Sequence, residues 1–191
     1  MNETLEYLLN LAADCTGLRS LPDVLAHPRG DNEVTLDIGG RYQTQPHTCG
    51  AVAGFMVLHY FKPRVSADSF FRSVNPNEEV GTSECKLVRS LRRHGLRVQV
   101  RRDMTFADFA AAIDGGRPVL VTVKTRDPET QHWVVCYGYG VKPNRVFLAG
   151  TGLPLVSKKE YRWCEFRRKW ACKGEGLVCG RRKIKSPACK V

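Results

Sequence analysis

Residues 49–61 read CGAVAGFMVLHYF, and this apolar stretch decides how the rest of the chain is interpreted. It is longer than most strands, which favours a buried helix that begins at Cys49. A thiol at the first residue of a helix lies at the positive end of the helix dipole, which is expected to lower its pKa. The following Gly50 leaves room for close approach of backbone and substrate. Cys49 is therefore a candidate nucleophile, and the alternative is an inert buried cysteine.

The segments around this helix predict an α+β fold. Helical periodicity and capping residues indicate further helices over 4–14, from Ser66 onward, and over Glu84–His94, Phe106–Asp114 and Tyr161–Trp170. Alternating or β-branched stretches indicate strands over Val34–Ile38, Leu96–Arg101, Pro118–Lys124, Gln131–Tyr139 and Arg145–Ala149. Because helices come first and strands later, we expect N-terminal helices packed on an antiparallel sheet.

Charge separates the end of the chain from the rest. The 191 residues suit one domain, and most of the net charge of +11 comes from residues 158–191, which hold 12 Lys/Arg and 3 Asp/Glu. We therefore predict a domain over 1–170 and a loosely ordered, basic, cysteine-containing tail over 171–191. Such a tail suits an acidic protein surface, a nucleic acid or an anionic lipid, and charge alone does not choose among them.

The eight cysteines do not form a metal-binding pattern. From Cys164 to Cys189 they are separated by six or more residues, whereas structural zinc sites favour pairs two to four residues apart. No metal is predicted. The first residues are acidic, and the apolar run Leu8–Ala13 is interrupted by Asn10, which is unlike a secretory signal. No stretch approaches the roughly 20 apolar residues of a membrane span. We expect a cytoplasmic protein whose thiols are reduced.

Two further residues are candidates to act with Cys49. Gln43 lies six residues before it, where a side-chain amide can donate to an oxyanion, and Gln45 is a nearby competitor. His132 opens a predicted strand and can face a cleft while its neighbours fill the core. His59 is a poorer base because it lies inside the same buried helix, and His47 is not dismissed by spacing. A structural histidine is the alternative for His132.

These residues together resemble a known family. Gln43 followed by Cys49-Gly50, the segment GTSECKLVRSLRRHGLRV over 81–98, and His132-Trp-Val-Val resemble the bacteriocin-processing peptidases. That family cleaves leader peptides after a double glycine and belongs to the papain-like superfamily. The resemblance covers roughly residues 40–170. It implies a papain-like fold in which Cys49 attacks a carbonyl and His132 takes its proton. Gln43 and the backbone N–H of Cys49 would hold the oxyanion, with no cofactor.

The chain departs from this family at one position. The family usually places an Asp after the strand that follows the catalytic histidine, and the residue here is Gly150. A carboxylate or amide at that point normally holds the imidazole in its working tautomer. Asn144, on the preceding loop, is a possible replacement, as is a backbone carbonyl or a water molecule.

Three functions are compatible with these residues. The first is a peptidase acting on a peptide or protein through a thioester acyl-enzyme. The second uses the same cysteine and histidine for another acyl transfer, either deamidation or transglutamination. The third is a catalytically dead papain-like module that binds a partner, which the missing acid at Gly150 would explain.

Overall fold

A computed structural model describes residues 32–39, 43, 45–127, 130–150, 158–172 and 174–181. The helix predicted over 4–14 and residues 182–191 of the predicted tail lie outside these ranges. The described residues form a mixed fold of helices and strands. The helices are α1 (Cys49–Phe61), α2 (Ala67–Val74), α3 (Glu84–Arg93), α4 (Phe106–Asp114) and α5 (Trp163–Lys169). The strands are β1 (Glu33–Thr35), β2 (Leu96–Arg101), β3 (Val119–Lys124), β4 (Gln131–Gly140), β5 (Arg145–Ala149), β6 (Lys158–Arg162) and β7 (Gly176–Arg181).

The strands form one antiparallel sheet in the order β2-β7-β3-β4-β5-β6, and β1 pairs with the last three residues of β4. β3 and β4 run side by side from the Val119–Cys136 pair to the Lys124–Gln131 pair. The predicted antiparallel sheet with packed helices is confirmed. The predicted bounds of α4 and of β5 agree with the structure.

The centre of β4 is buried on both faces, which explains the apolar run in its sequence. Successive side chains point to opposite faces of a strand, so Trp133 and Val135 pack with α1 while Val134 and Cys136 pack with α4 and α5. A strand buried on both faces has no polar face to alternate with. α1 is similarly enclosed, since its residues from Cys49 to Leu58 are all buried. The sheet therefore has a core on each side, and α1 is held firmly against one of them.

Two elements differ from the predictions by more than one residue at an end. The N-terminal strand is Glu33–Thr35 instead of Val34–Ile38. The predicted helix from Tyr161 begins only at Trp163, because Tyr161 and Arg162 extend β6 and pair with Val146 and Arg145. Cross-strand pairing here overrides local helix propensity.

The expectation of a loosely ordered tail from residue 171 is corrected by β7. Gly176–Arg181 pairs with β2 on one side and with β3 on the other, and Leu177, Val178 and Cys179 are buried. The short apolar group is surrounded in sequence by Gly, Lys and Arg, which hid the strand. Within the described residues no helix is long and apolar enough to cross a membrane.

Candidate active site

Cys49 lies at the start of α1, where the chain leaves a short 3-10 turn over Pro46–Thr48. The Thr48 hydroxyl and backbone N–H both donate to the carbonyl of Gln45, which fixes the turn before the cysteine. The first N–H groups of a helix have no partner within it, so they are available to a thiolate or an oxyanion. Backbone N–H groups of Trp133, Gly50 and Cys49 itself donate towards the Cys49 sulfur.

His132 is brought to the same place by the sheet. It lies at the second residue of β4, opposite Val123 of β3 and next to the Trp133 whose N–H meets the Cys49 sulfur. Cys49 and His132 both line one open cleft of about 770 Å³. The structure therefore brings together the two residues predicted as nucleophile and base, although they are far apart in sequence.

Burial shifts the pKa values of Cys49 and His132 in the directions that favour the neutral form of each side chain. Desolvation raises the pKa of the Cys49 thiol, and the hydrogen bonds from Trp133, Gly50 and Cys49 oppose this only in part. The sequence analysis expected a lowered pKa from the helix dipole, and this is corrected by the burial of Cys49, which is only 7% exposed. Burial also lowers the pKa of His132, so its imidazole is neutral at pH 7. Both shifts favour an uncharged thiol and an uncharged imidazole in the cleft.

Gly50, Thr82 and Trp133 form a close contact beside the nucleophile. A Cβ atom on Gly50 would lie 2.6 Å from the Cβ of Thr82 and 2.7 Å from Cδ1 of Trp133. The indole N–H of Trp133 donates to the carbonyl of Thr82 at 3.1 Å. Glycine is therefore required here for space, and the indole ties the loop before α3 to the sheet. Gly81 and Thr82, in the loop before α3, line the cleft.

Gln43 is buried and braces the turn that leads to Cys49. Its Nε2 atom donates to the carbonyls of Gln45 and Pro46, each at 2.7 Å. An amide nitrogen has two hydrogens, so both are used in this geometry. Gln43 is not among the residues that line the cleft, and Gln45 is exposed. The role of Gln43 as an oxyanion donor stays a prediction.

Asn144 lies at the wrong end of β4 to orient His132. It precedes Arg145, which pairs with Gly140 at the last residue of β4. His132 is near the first residue of that strand, so about 27 Å of strand separates the two positions at ~3.4 Å per residue. The prediction that Asn144 replaces the missing acid is therefore wrong. Asn144 precedes the first residue of β5, whereas it is the last residue of β5 that lies near the start of β4 and His132.

Gly150, in contrast, does lie beside His132. It follows Ala149, which pairs with Val135. Gly150 and His132 both line a second cavity of about 360 Å³ on the side of β4 that carries Val134. An acidic side chain at position 150 would thus be close to the imidazole.

The other histidines differ in their relation to the cleft. His47 lines it together with Cys49, and its backbone carbonyl accepts from the Thr82 hydroxyl at 3.5 Å. The ring of His59 packs near Phe55, with 5.8 Å between centroids. Neither His59 nor His94 lines the cleft. His47 thus remains the competitor of His132 as a base.

The sequence analysis missed several residues of the cleft. Cys172 from the predicted tail lines it and is hydrogen-bonded to Gln131. Four carboxylates also line it: Glu78, Glu79, Glu84 and Glu175. Only tertiary packing brings these segments to the site, so no local sequence signal could have found them. Among the described residues no group of three or more His, Cys, Asp or Glu is placed to hold a metal ion.

Helices packed on an antiparallel sheet, with a cysteine at a helix start and a histidine on a strand lining one cleft, are the arrangement of a papain-like cysteine peptidase. The chain belongs to the Peptidase_C39 like family, whose model matches residues 35–175. It is a cysteine peptidase that acts on a peptide or protein. No curated protein matches the chain.

Solved structures share this fold at low sequence identity. One is a double glycine motif protease from an AMS/PCAT transporter in complex with the leader peptide, at 17% identity and a TM-score of 0.58, covering 80% of this chain and 100% of that one. The peptidase domain of Streptococcus ComA, a bi-functional ABC transporter involved in a quorum sensing pathway, is similar at 19% identity with a TM-score of 0.60, covering 74% and 96%. A C39-like peptidase from Bacillus anthracis is similar at 14% identity with a TM-score of 0.62, covering 80% and 99%.

The raised pKa of Cys49 predicts the pH dependence of its alkylation. Iodoacetamide reacts with the thiolate, so the rate at Cys49 should rise with pH to a midpoint above the roughly 8.5 of an exposed thiol. Mass spectrometric mapping of the reduced protein from pH 5 to 10, beside a short cysteine peptide, measures this. Cys136 and Cys179 should stay unmodified at neutral pH, because burial raises the pKa of each to about 12. A plateau of Cys49 alkylation already reached at pH 6, and lost in His132→Ala, would show an ion pair instead.

Proposed function

We propose that this peptidase hydrolyses its substrate with Cys49 as the nucleophile and His132 as the general base. The observation that carries the proposal is the single cleft that Cys49 and His132 both line, where Trp133, the residue after His132, lies against Gly50, the residue after Cys49. The shared cleft gives both groups access to one substrate.

The proposed reaction has two halves. His132 takes the thiol proton as the Cys49 sulfur attacks the carbonyl carbon, and the C–N bond then breaks as His132 returns the proton to the leaving amine. Water, deprotonated by His132, then attacks the carbonyl carbon of the thioester; the C–S bond breaks, His132 returns the proton to the Cys49 sulfur, and the carboxylic acid product leaves. Because the thiol and the imidazole are both neutral at rest, proton transfer accompanies attack instead of preceding it.

The oxyanion would be held at the start of α1. The backbone N–H of Cys49 is the first donor, and Gln43 is the second. Gln43 can take this role only if it exchanges one of its two bonds, to Gln45 or Pro46, for a bond to the substrate oxygen. No metal or organic cofactor enters the reaction.

The proposed substrate is a peptide with a small residue before the cut. The crowding of Thr82 and Trp133 around Gly50 supports this, because it leaves little room beside the nucleophile. A similar fold is known with a leader peptide bound. The proposal places the enzyme in the bacterial cytoplasm, where reducing conditions keep Cys49 as a thiol.

Mass spectrometry of peptide digests tests this proposal. A peptide library that includes Gly-Gly sequences is incubated with the reduced protein, and two fragments whose masses sum to the substrate plus one water are expected. Cys49→Ala should yield none, while Cys85→Ala, which removes an exposed cysteine of α3, should cut normally. A mass gain of about one dalton without fragments would mean deamidation, and an intact library would mean a binding module.

A further inference from the structure

His132 lies between two cavities of opposite charge. The Cys49 cleft and the smaller cavity beside Gly150 share His132 and Thr125 in their walls. A substrate bound across Cys49 and His132 would therefore extend along both. The charged residues of the two walls then act on opposite ends of the same peptide.

The wall of the Cys49 cleft is acidic. Its carboxylates are Glu78, Glu79, Glu84 and Glu175, and no Lys or Arg is among the described residues that line it. Glu175 forms an ion pair with Arg102 at 2.8 Å, which leaves the other three carboxylates without a partner of this kind among the described residues. Burial, together with the charge of Glu175, raises the pKa of Glu84. This cleft favours positively charged side chains.

The wall of the second cavity is basic. Its cations are Lys124, Arg126, Lys159 and Lys169, and no Asp or Glu is among the described residues that line it. None of the four takes part in an ion pair of the described residues. Lys169 lies 5.8 Å from the ring centroid of Tyr161, on the same wall. Unpaired cations around a shared space favour carboxylates.

The chemistry of the reaction determines which half of the substrate lies in each cavity. The half before the cut becomes bonded to Cys49, so it stays in the acidic cleft. The half after the cut leaves with a proton from His132, so its chain passes the imidazole towards the basic cavity. We propose that the enzyme selects a segment with Lys or Arg before the cut and Asp or Glu after it. This inference rests on the proposed function of Cys49 and His132.

Four peptides with one common Gly-containing cleavage site test this selection. One carries basic residues before and acidic residues after the site, one has the reverse, one has neutral residues, and one is basic throughout. We expect the first to exceed the reverse by about 100-fold in kcat/KM at low salt, since each half contributes about tenfold. The difference should shrink in 0.5 M NaCl, because exposed charges are screened.

Charge-reversal variants assign each preference to its wall. Lys159→Glu should weaken the preference for acidic residues after the cut, because three cations remain, and should leave the preference for basic residues before it. Glu79→Lys should do the opposite. Both side chains are exposed, so folding should be unaffected. Arg89→Glu and Asp37→Lys make the same charge changes at exposed positions that line neither cavity, and they should keep both preferences.

Binding measured without cleavage separates this inference from the proposed function. Fluorescence polarisation with Cys49→Ala reports the affinity of labelled versions of the four peptides. Charge-selective binding by a protein that cuts none of them would sustain the selection and overturn the proposed function. Equal kcat/KM for all four peptides would overturn the selection and sustain the peptidase. A preference for the reversed peptide would overturn the direction, and neither binding nor cleavage would overturn both.

Discussion

Exchanging His132 for alanine is expected to lower kcat/KM for peptide hydrolysis by about 10⁴-fold, the scale of losing the base of a catalytic triad. Without the imidazole, nothing takes the Cys49 proton, and the raised pKa of the thiol leaves little thiolate at pH 7. The loss should fall on kcat, because His132 acts in the transition state. Steady-state kinetics at pH 7 with the best substrate of the library provides the measurement.

His47→Ala is the matched comparison, because His47 lines the same cleft. Its contact with Thr82 uses the backbone carbonyl, which the substitution keeps. We expect kcat/KM to stay within about threefold of the unmodified protein. A large loss in His47→Ala together with a small loss in His132→Ala would transfer the role of base to His47.

Gly150→Asp is expected to raise kcat/KM by about 10²-fold. Gly150 lines the same cavity as His132, so the new carboxylate can accept a hydrogen bond from the imidazole and stabilise the imidazolium that forms during attack. The surrounding lysines and arginine keep that carboxylate ionised. The gain is smaller than the cost of losing a native acid, because the neighbouring residues have not been fitted to it.

The pH profile distinguishes orientation from a general change in packing. A carboxylate beside His132 raises the pKa of the imidazole, which must be neutral to act as the base. Activity of Gly150→Asp should therefore be lost at a higher pH on the acidic side than in the unmodified enzyme. Gly150→Asn should show a smaller gain without this displacement, and Gly150→Ala no gain. Equal losses in all three variants would show that position 150 tolerates only glycine.

The sequence predicted the parts of the site that depend on a single element. Cys49 starts a helix and His132 starts a strand, and each position follows from the local pattern of apolar residues. The predicted direction of the Cys49 pKa shift was wrong because burial has the largest effect, and this burial comes from core residues distant in sequence. The prediction for Asn144 was wrong because Asn144 lies in the turn that joins β4 to β5. In an antiparallel hairpin this turn is at the opposite end of the strands from His132.

The same distinction holds for the fold: elements with a strong local pattern were predicted, and those that depend on distant neighbours were not. α1 and α4 have strong local signals, whereas β7 has only Leu177–Cys179 among charged residues and glycines. A strand of this kind is defined by the two neighbours that bury it, which are distant in sequence. The acidic wall of the cleft was not predicted for the same reason, because Glu78 and Glu175 are far apart in sequence.

The position of β7 also sets an order on synthesis by the ribosome. β2 is emitted earlier, yet it pairs only with β7, whereas β3 also pairs with β4. Gly176 and Leu177 of this strand also form part of the wall around Cys49. A nascent chain that already contains Cys49 and His132 but lacks β7 thus has β2 separate from the rest of the sheet and an incomplete wall around Cys49. The cleft that Cys49 and His132 line is complete only after Gly176 and Leu177 have emerged, so we expect proteolytic activity only at the end of the domain's synthesis.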